Sequence, residues 1–315
     1  MLTRASSSAI PQERRRNMLK LPTKKQFTDE GEAVLRTNYT WEIMKRVVRK
    51  TPAKFGALLM LTIVLLAVFA PLFTPYGPYD MDLTYRIGSP CSKYILGTDA
   101  LGRDIWTRLL YGARYSLLLG FTSSLITLVL QIIVGSIAGY FGGVVETVIM
   151  RFMDVWSAIP GNLWAILISA VLGSGYFNTI LALSIGGLPG GVRMLRAQIL
   201  AEASKEYVEA SETINCSKAS IMFKHILPNV ISPMIIGFSM GIGGSINAAA
   251  GLSYIGLGVA PPLPEWGAML SDAHTYMMQA PHLIFAPGIA MALVVLAMNL
   301  LGDGLRDALD PKLRD

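Results

Sequence analysis

Charge is scarce along most of this chain. Asp, Glu, Lys and Arg supply 15% of its 315 residues, where soluble globular domains carry about 25%. The scarcity is local. Windows 55–79, 115–145, 155–192, 229–264 and 273–302 hold none, and the charges crowd between them. A charge at mid-bilayer costs roughly 2.5–3.5 kcal/mol even on insertion scales, so the pattern is that of a membrane-spanning chain. Cysteine is nearly missing too. Cys91 and Cys216 make no disulfide framework, and with three scattered histidines they make no metal cluster. A Gly-x4-Gly-Lys-Ser/Thr phosphate loop is absent, so the chain itself is not expected to bind ATP. The first 50 residues contain no apolar core segment, so no cleavable signal peptide is expected.

What charge there is has a direction. The net charge is +6, and 13 of the 27 Lys and Arg precede Phe55. In a membrane protein such a flank follows the positive-inside rule, and nucleic acid is not expected as a partner. Residues 1–40 read as a polar tail. In 41–50, Trp41, Met44 and Val48 fall near one face among basic residues, which predicts a short helix on the lipid surface.

The windows predict six spans in an all-α fold. Window 55–79 is the first, since about 20 apolar residues cross a bilayer core. Window 115–145 is the second. Window 155–192 would be about 57 Å long as one helix, too long for a bilayer. Gly173 and Gly175 therefore mark a hairpin of spans 3 and 4, with span 3 starting near Glu146, Arg151 and Asp154 paired at i, i+3, and Pro160–Gly161 bending it. Windows 229–264 and 273–302 carry spans 5 and 6. Lys and Arg then divide 22 against five between the two sides, placing both termini in the cytoplasm. Cys91 and Cys216 fall on opposite sides. Trp106 and Trp266 suit the outer interface. Asp99 is expected to cap a helix over 100–111, with Asp104 and Arg108 paired, that rests on the outer leaflet or against neighbouring spans. Polar Gln131, Asn162, Asn178, Asn247 and Asn299 either line a pathway or bond neighbouring helices. His274 and His282 either pack at the interface or touch a metal in transit.

The segment 193–228 is the most informative. It is long for a connector, since helix connections usually run about 2–8 residues. Residues 196–214 favour helix. Asn215 tolerates a left-handed conformation and suits a terminator. Ser217 suits the cap of a second helix ending before Pro228. Two short helices at an angle would form a rigid protrusion on the cytoplasmic side.

The run Glu209-Ala-Ser-x3-Asn215-x10-Ile226-Leu-Pro228 resembles the signature loop of permease subunits of ABC importers. Three more stretches resemble the dipeptide, oligopeptide and nickel branch of that family, its second or C-type permease: Leu96-Gly-Thr-Asp-Ala-Leu-Gly-Arg-Asp-Ile-Trp, Leu252-Ser-Tyr-Ile-Gly-Leu-Gly-Val-Ala-Pro-Pro, and Leu296-Ala-Met-Asn-Leu-Leu-Gly-Asp-Gly-Leu-Arg-Asp-Ala-Leu-Asp-Pro. Together they cover residues 40–312 in the family's order.

The resemblance implies a type I ABC importer permease fold in the cytoplasmic (inner) membrane. It implies a coupling loop at Glu206, Tyr207, Glu209, Ala210, Ser211, Asn215, Cys216, Ser217 and Pro228, with no catalytic, cofactor or metal residues. The implied partners are a second homologous permease, two ATP-binding subunits that hold ATP and Mg, an extracytoplasmic substrate-binding protein, and lipid. Substrates of the branch are di- and oligopeptides, nickel, glutathione and related small solutes. The expected partition is a cytoplasmic tail and interfacial helix (1–54), the first span (55–79), an outer segment (80–114), a five-helix core (115–302) containing the 193–228 loop, and a C-terminal tail (303–315).

Two departures stand out. Asn215 replaces the family glycine, and residues 247–251 lack a glutamate common before the Leu-Ser-x-x-Gly-Leu-Gly stretch. The alternative function is an ion-gradient-driven secondary transporter or a channel. It would place ionisable residues deep in the spans, and the window centres hold none.

Overall fold

The computed structural model describes residues 50–309. The helix expected over 41–50 and the tail beyond Leu309 lie outside them. Helix α1 (Thr51–Val68) opens the described chain, and α2 (Ala70–Phe73) ends its apolar run. After a mostly irregular segment comes α3 (Ile105–Phe141), whose 37 residues run about 55 Å at 1.5 Å per residue. It is followed by α4 (Gly143–Ser157), α5 (Gly161–Leu172), α6 (Tyr176–Gly186) and α7 (Leu188–Ala203). The protrusion is α8 (Glu206–Thr213), α9 (Lys218–Ser220), a π-helical turn (Ile221–Ile226) and α10 (Leu227–Val230). Then come α11 (Ser232–Tyr254), α12 (Trp266–His274) and α13 (His282–Leu309).

Among the described residues four helices, α1, α3, α11 and α13, are long and apolar enough to cross a membrane. The pair α4–α5 makes a fifth crossing if its two halves, bent by 82°, form one span. Pro160 and Gly161 sit at that bend, as their chemistry predicts: proline cannot donate to the preceding turn. The expected hairpin is there as α5 and α6, with Gly173 at φ +82° in the turn. Asn178 stitches that turn, donating to the carbonyls of Leu172 at 2.8 Å and Gly173 at 3.2 Å. Helix α6 alone, at 11 residues, is shorter than a span.

The main core lies where α1, α3, α11, α12 and α13 meet, around Ile105, Ile246, Trp266, Leu283 and Val294. Small residues let the backbones approach, as lipid-embedded packing requires. A Cβ on Gly56 of α1 would meet the Ala297 carbonyl at 2.9 Å, and one on Gly120 of α3 would meet the Ile242 carbonyl at 2.9 Å.

The segment before α3 differs from expectation. The helix starts at Ile105 and is capped by Asp104, whose Oδ2 accepts from the Thr107 N–H at 2.9 Å. Asp99 does not cap a helix over 100–111. It holds a tight loop, accepting from the N–H groups of Leu101 at 2.9 Å and Arg103 at 3.0 Å. Arg108 pairs with Asp99 at 3.5 Å instead of Asp104. Gly102 fixes this choice. It sits at φ +74°, and a Cβ there would meet the Asp82 carbonyl at 2.0 Å, so the loop turns back before a helix can begin.

Trp266, expected at the outer interface, is buried within the protein. It is 2% exposed, and its indole N–H donates to the Leu109 carbonyl at 2.9 Å. Beside it the fully buried Glu265 caps α12, accepting from the N–H groups of Gly267 at 2.9 Å and Ala268 at 2.8 Å. Cys91 and Cys216 are both free.

Candidate coupling site

The 193–228 segment has a core of its own. Leu195, Ile199, Val208, Ile221, Met222, Ile226, Val230 and Met234 are buried together, with Leu128, Ile132 and Tyr140 of α3 packed against them. A short amphipathic helix such as α8 gains most of its stability from such packing. The π-helical turn comes next, and its last bond runs from the Leu227 N–H to the Met222 carbonyl. Contrary to expectation, the second helix does not end before Pro228. The proline falls in the first turn of α10, where its missing N–H is tolerated. The His225 carbonyl is claimed instead by the Asn229 side chain at 2.7 Å.

Asn215 does what its chemistry predicts. It adopts φ +60°. Its N–H donates to the Glu212 carbonyl at 2.9 Å, and that of Cys216 to the Ser211 carbonyl at 3.1 Å. That paired bonding, closing the last turn of α8 around a left-handed residue, is a Schellman cap. Glycine is the usual occupant, and asparagine is the side chain that most readily replaces it. Ser217 then caps α9, accepting from the Ser220 N–H at 3.3 Å.

The expected coupling residues divide by position. Glu206, Tyr207, Glu209, Ala210, Asn215, Ser217 and Pro228 are exposed, Cys216 is half-buried, and Ser211 is buried with its hydroxyl donating to the Tyr207 carbonyl at 2.8 Å. Ile214 and Phe223, 75% and 63% exposed, add apolar surface to the protrusion. Sequence reasoning passed over them because an apolar residue in a loop is ordinarily read as core.

It also missed the tie between the first and last parts of the segment. The Tyr207 hydroxyl donates to Glu202 Oε1 at 2.8 Å and receives the Asn229 amide at 3.3 Å. Glu202 also pairs with Lys205 at 2.8 Å. Burial raises the Glu202 carboxyl, but these hydrogen bonds outweigh it and leave its pKa below the usual carboxylate value. Burial, then the bond to Glu202, pushes the Tyr207 phenol up.

A cavity of about 430 Å³ opens between α3, α5 and α11. Gln131 and Asn162 line it with Ser124, Thr127 and the glycines of α11. Asn247 and Asn299 face elsewhere and are exposed. His274 bonds the Tyr254 hydroxyl at 3.1 Å, while His282 is half-buried beside Gly97.

Fold and site together define a polytopic helical membrane protein that presents a compact, partly apolar protrusion at one end of its spans. The family described as binding-protein-dependent transport system inner membrane component matches residues 131–315, and the N-terminal TM domain of oligopeptide transport permease C matches residues 38–90. The di/tripeptide transport system permease protein DppC of Pseudomonas aeruginosa is 42% identical over 266 residues, covering 82% of this chain and 88% of that one. The glutathione transport system permease protein GsiD of Pectobacterium atrosepticum is 42% identical over 276 residues, covering 87% and 91%. A solved structure of the MetNI methionine ABC transporter shares the fold, with a TM-score of 0.52 at 17% identity over 64% of this chain and 96% of that one. This chain belongs to the family of inner-membrane permease components of binding-protein-dependent transport systems. As a permease subunit of an ABC importer, it works with a separate ATPase and other transport components.

Proposed function

We propose that this permease forms half of a transmembrane pathway for di- or oligopeptides or glutathione, and that the protrusion at Glu206–Pro228 docks into a separate ATP-binding subunit. The observation that carries the docking is the protrusion's construction. A buried core holds α8 rigid, while Tyr207, Glu209, Ala210 and Ile214 stay exposed on it. The substrate class follows the relatives, which are named for di/tripeptide and glutathione transport.

In this reading α6 and the first residues of α7, up to Val192, together complete a sixth span, and both termini lie on the protrusion's side, in the cytoplasm. The charge count supports that orientation. A second homologous permease supplies the other half of the pathway. Two ATPases bind ATP and Mg, and this chain binds neither. An extracytoplasmic binding protein delivers substrate. ATP-driven closure of the ATPases moves the two protrusions, and the spans rock between inward and outward access. The glycine-rich cavity beside Gln131 and Asn162 faces that pathway.

Reversing Glu209 to Lys, or replacing Ala210 with Trp, is expected to abolish ATP-driven uptake while membrane insertion is retained. Uptake at the wild-type rate in both variants would sink the proposal.

A further inference from the structure

Helix α4 is weakly embedded. Met153 is its one buried residue, and Val144, Val148, Phe152 and Val155 are mostly exposed. Both of its ends are built to turn. Gly142 caps it and Gly143 opens it, at φ +64° and +55°, and a Cβ on Gly143 would meet nothing within 4 Å. At the other end lies the 82° bend. There Gly161 rests on Gly186, the corresponding break between α6 and α7: a Cβ on Gly161 would meet the Gly186 carbonyl at 2.9 Å, and one on Gly186 the Gly161 carbonyl at 2.6 Å. One of the carbonyls at the bend finds a side-chain donor, the kind of partner a bilayer interior demands. Trp164 Nε1 donates to the Trp156 carbonyl at 2.9 Å, and the two indoles stack at 4.2 Å.

Helix α7 is fixed by contrast. Val192, Leu195 and Ile199 are fully buried, and a Cβ on Gly139 of α3 would meet Ile199 Cβ at 2.9 Å. Two arginines of α7 reach across to α4. Arg196 pairs with Glu146 in the first turn of α4. Arg193 Nη2 gathers three acceptors at its far end, Asp154 Oδ1 at 3.0 Å, Ser157 Oγ at 2.7 Å and the Met153 carbonyl at 3.1 Å. The last contacts place a cation at a helix C-terminus, where the dipole favours it. Half-exposed ion pairs of this kind add little to stability. What they supply here is position, because they grip α4 near both ends.

We propose that α4 is a link hinged at both ends, and that Arg193 and Arg196 are the positioning residues through which α7 sets its place. The Gly161–Gly186 contact is the pivot. Because α7 leads directly into α8, displacement of the protrusion is handed to span 3 through these two guanidinium groups. The inference rests on the coupling reading above.

The test uses the assembled complex, with Cys91 and Cys216 left in place and spin labels introduced in pairs through a genetically encoded ketone-bearing residue. Labels at 148 and 200 report α4 against α7, and labels at 148 and 167 report α4 against α5. Between nucleotide-free and ATP-trapped states the 148–167 distance is expected to shift while the 148–200 distance holds. Arg196→Glu is expected to broaden the 148–200 distances and lower ATP-driven uptake of labelled dipeptide or glutathione by roughly tenfold, with ATP hydrolysis retained. Adding Glu146→Arg is expected to restore both.

The link is overturned if the 148–200 distance shifts as much as 148–167, if Arg196→Glu transports normally, or if the charge swap restores nothing. A wild-type complex that takes up neither substrate and shows no nucleotide-dependent shift overturns the coupling reading, and this inference with it.

Discussion

The Ser116 hydroxyl donates to Glu265 Oε1 at 3.0 Å, joining α3 to the cap of α12 across 149 residues of chain. The same hydroxyl accepts from the Trp266 N–H at 3.0 Å. Removing the carboxyl leaves this hydroxyl and two backbone N–H groups buried without an acceptor, each at about 1–3 kcal/mol. Glu265→Ala is therefore expected to lower the thermal stability of the purified permease by several degrees or abolish its recovery. Glu265→Gln, which keeps an acceptor oxygen, is expected to lose clearly less. Equal losses in a thermal-shift measurement would contradict the account.

Asn215 offers a conformational test. A left-handed residue costs about 1–2 kcal/mol for most L-side chains and little for glycine. Asn215→Gly is expected to leave the protrusion as protected from hydrogen exchange as wild type, or more so. Asn215→Val is expected to raise exchange across 208–217 and to weaken recovery of the ATPase on co-purification.

Two glycines separate packing from open surface. A Cβ on Gly112 would meet the Pro264 carbonyl at 2.0 Å, whereas one on Gly244 meets nothing within 4 Å. Gly112→Ala is expected to destabilise by about 1–3 kcal/mol, the usual range for overpacking, and Gly244→Ala to be neutral in the same thermal-shift measurement.

The protrusion has a predictable acid limb. The folded state lowers the Glu202 pKa, so its contribution is present above the ordinary glutamate value of about 4.3 and is lost as pH falls through the lower folded value. Exchange protection of residues 202–229 is expected to hold from neutral pH to about 5 and to fall below about 4. Glu202→Gln should flatten that fall, and an unchanged acid limb in the variant would exclude Glu202 as its source.

Much of this was legible in advance where a residue has one dominant chemistry. Pro160 breaks a helix, Asn215 accepts a left-handed turn, and charge-free windows cross bilayers. The misses came where two residues compete for one role. Asp99 and Asp104 are both competent caps, and the choice is made by Gly102 folding under the Asp82 carbonyl, a contact 20 residues away in sequence. Pro228 ordinarily stops a helix, but a wider turn before it and the Asn229 amide absorb the defect. Trp266 looks like an interfacial residue until α3 closes over it and over Glu265 beside it. Nothing local announces that Ser116 is their partner.

The unbroken length of α3 has one more consequence. It contains no proline, so no backbone donor is missing along its 37 residues. Tyr140 near one end packs against the protrusion's core, and Leu109 near the other accepts from Trp266. Between them, at Gly120, α11 crosses at close quarters. A single uninterrupted helix therefore carries, near its two ends, both the contact that seats the protrusion and the contact that seats α12.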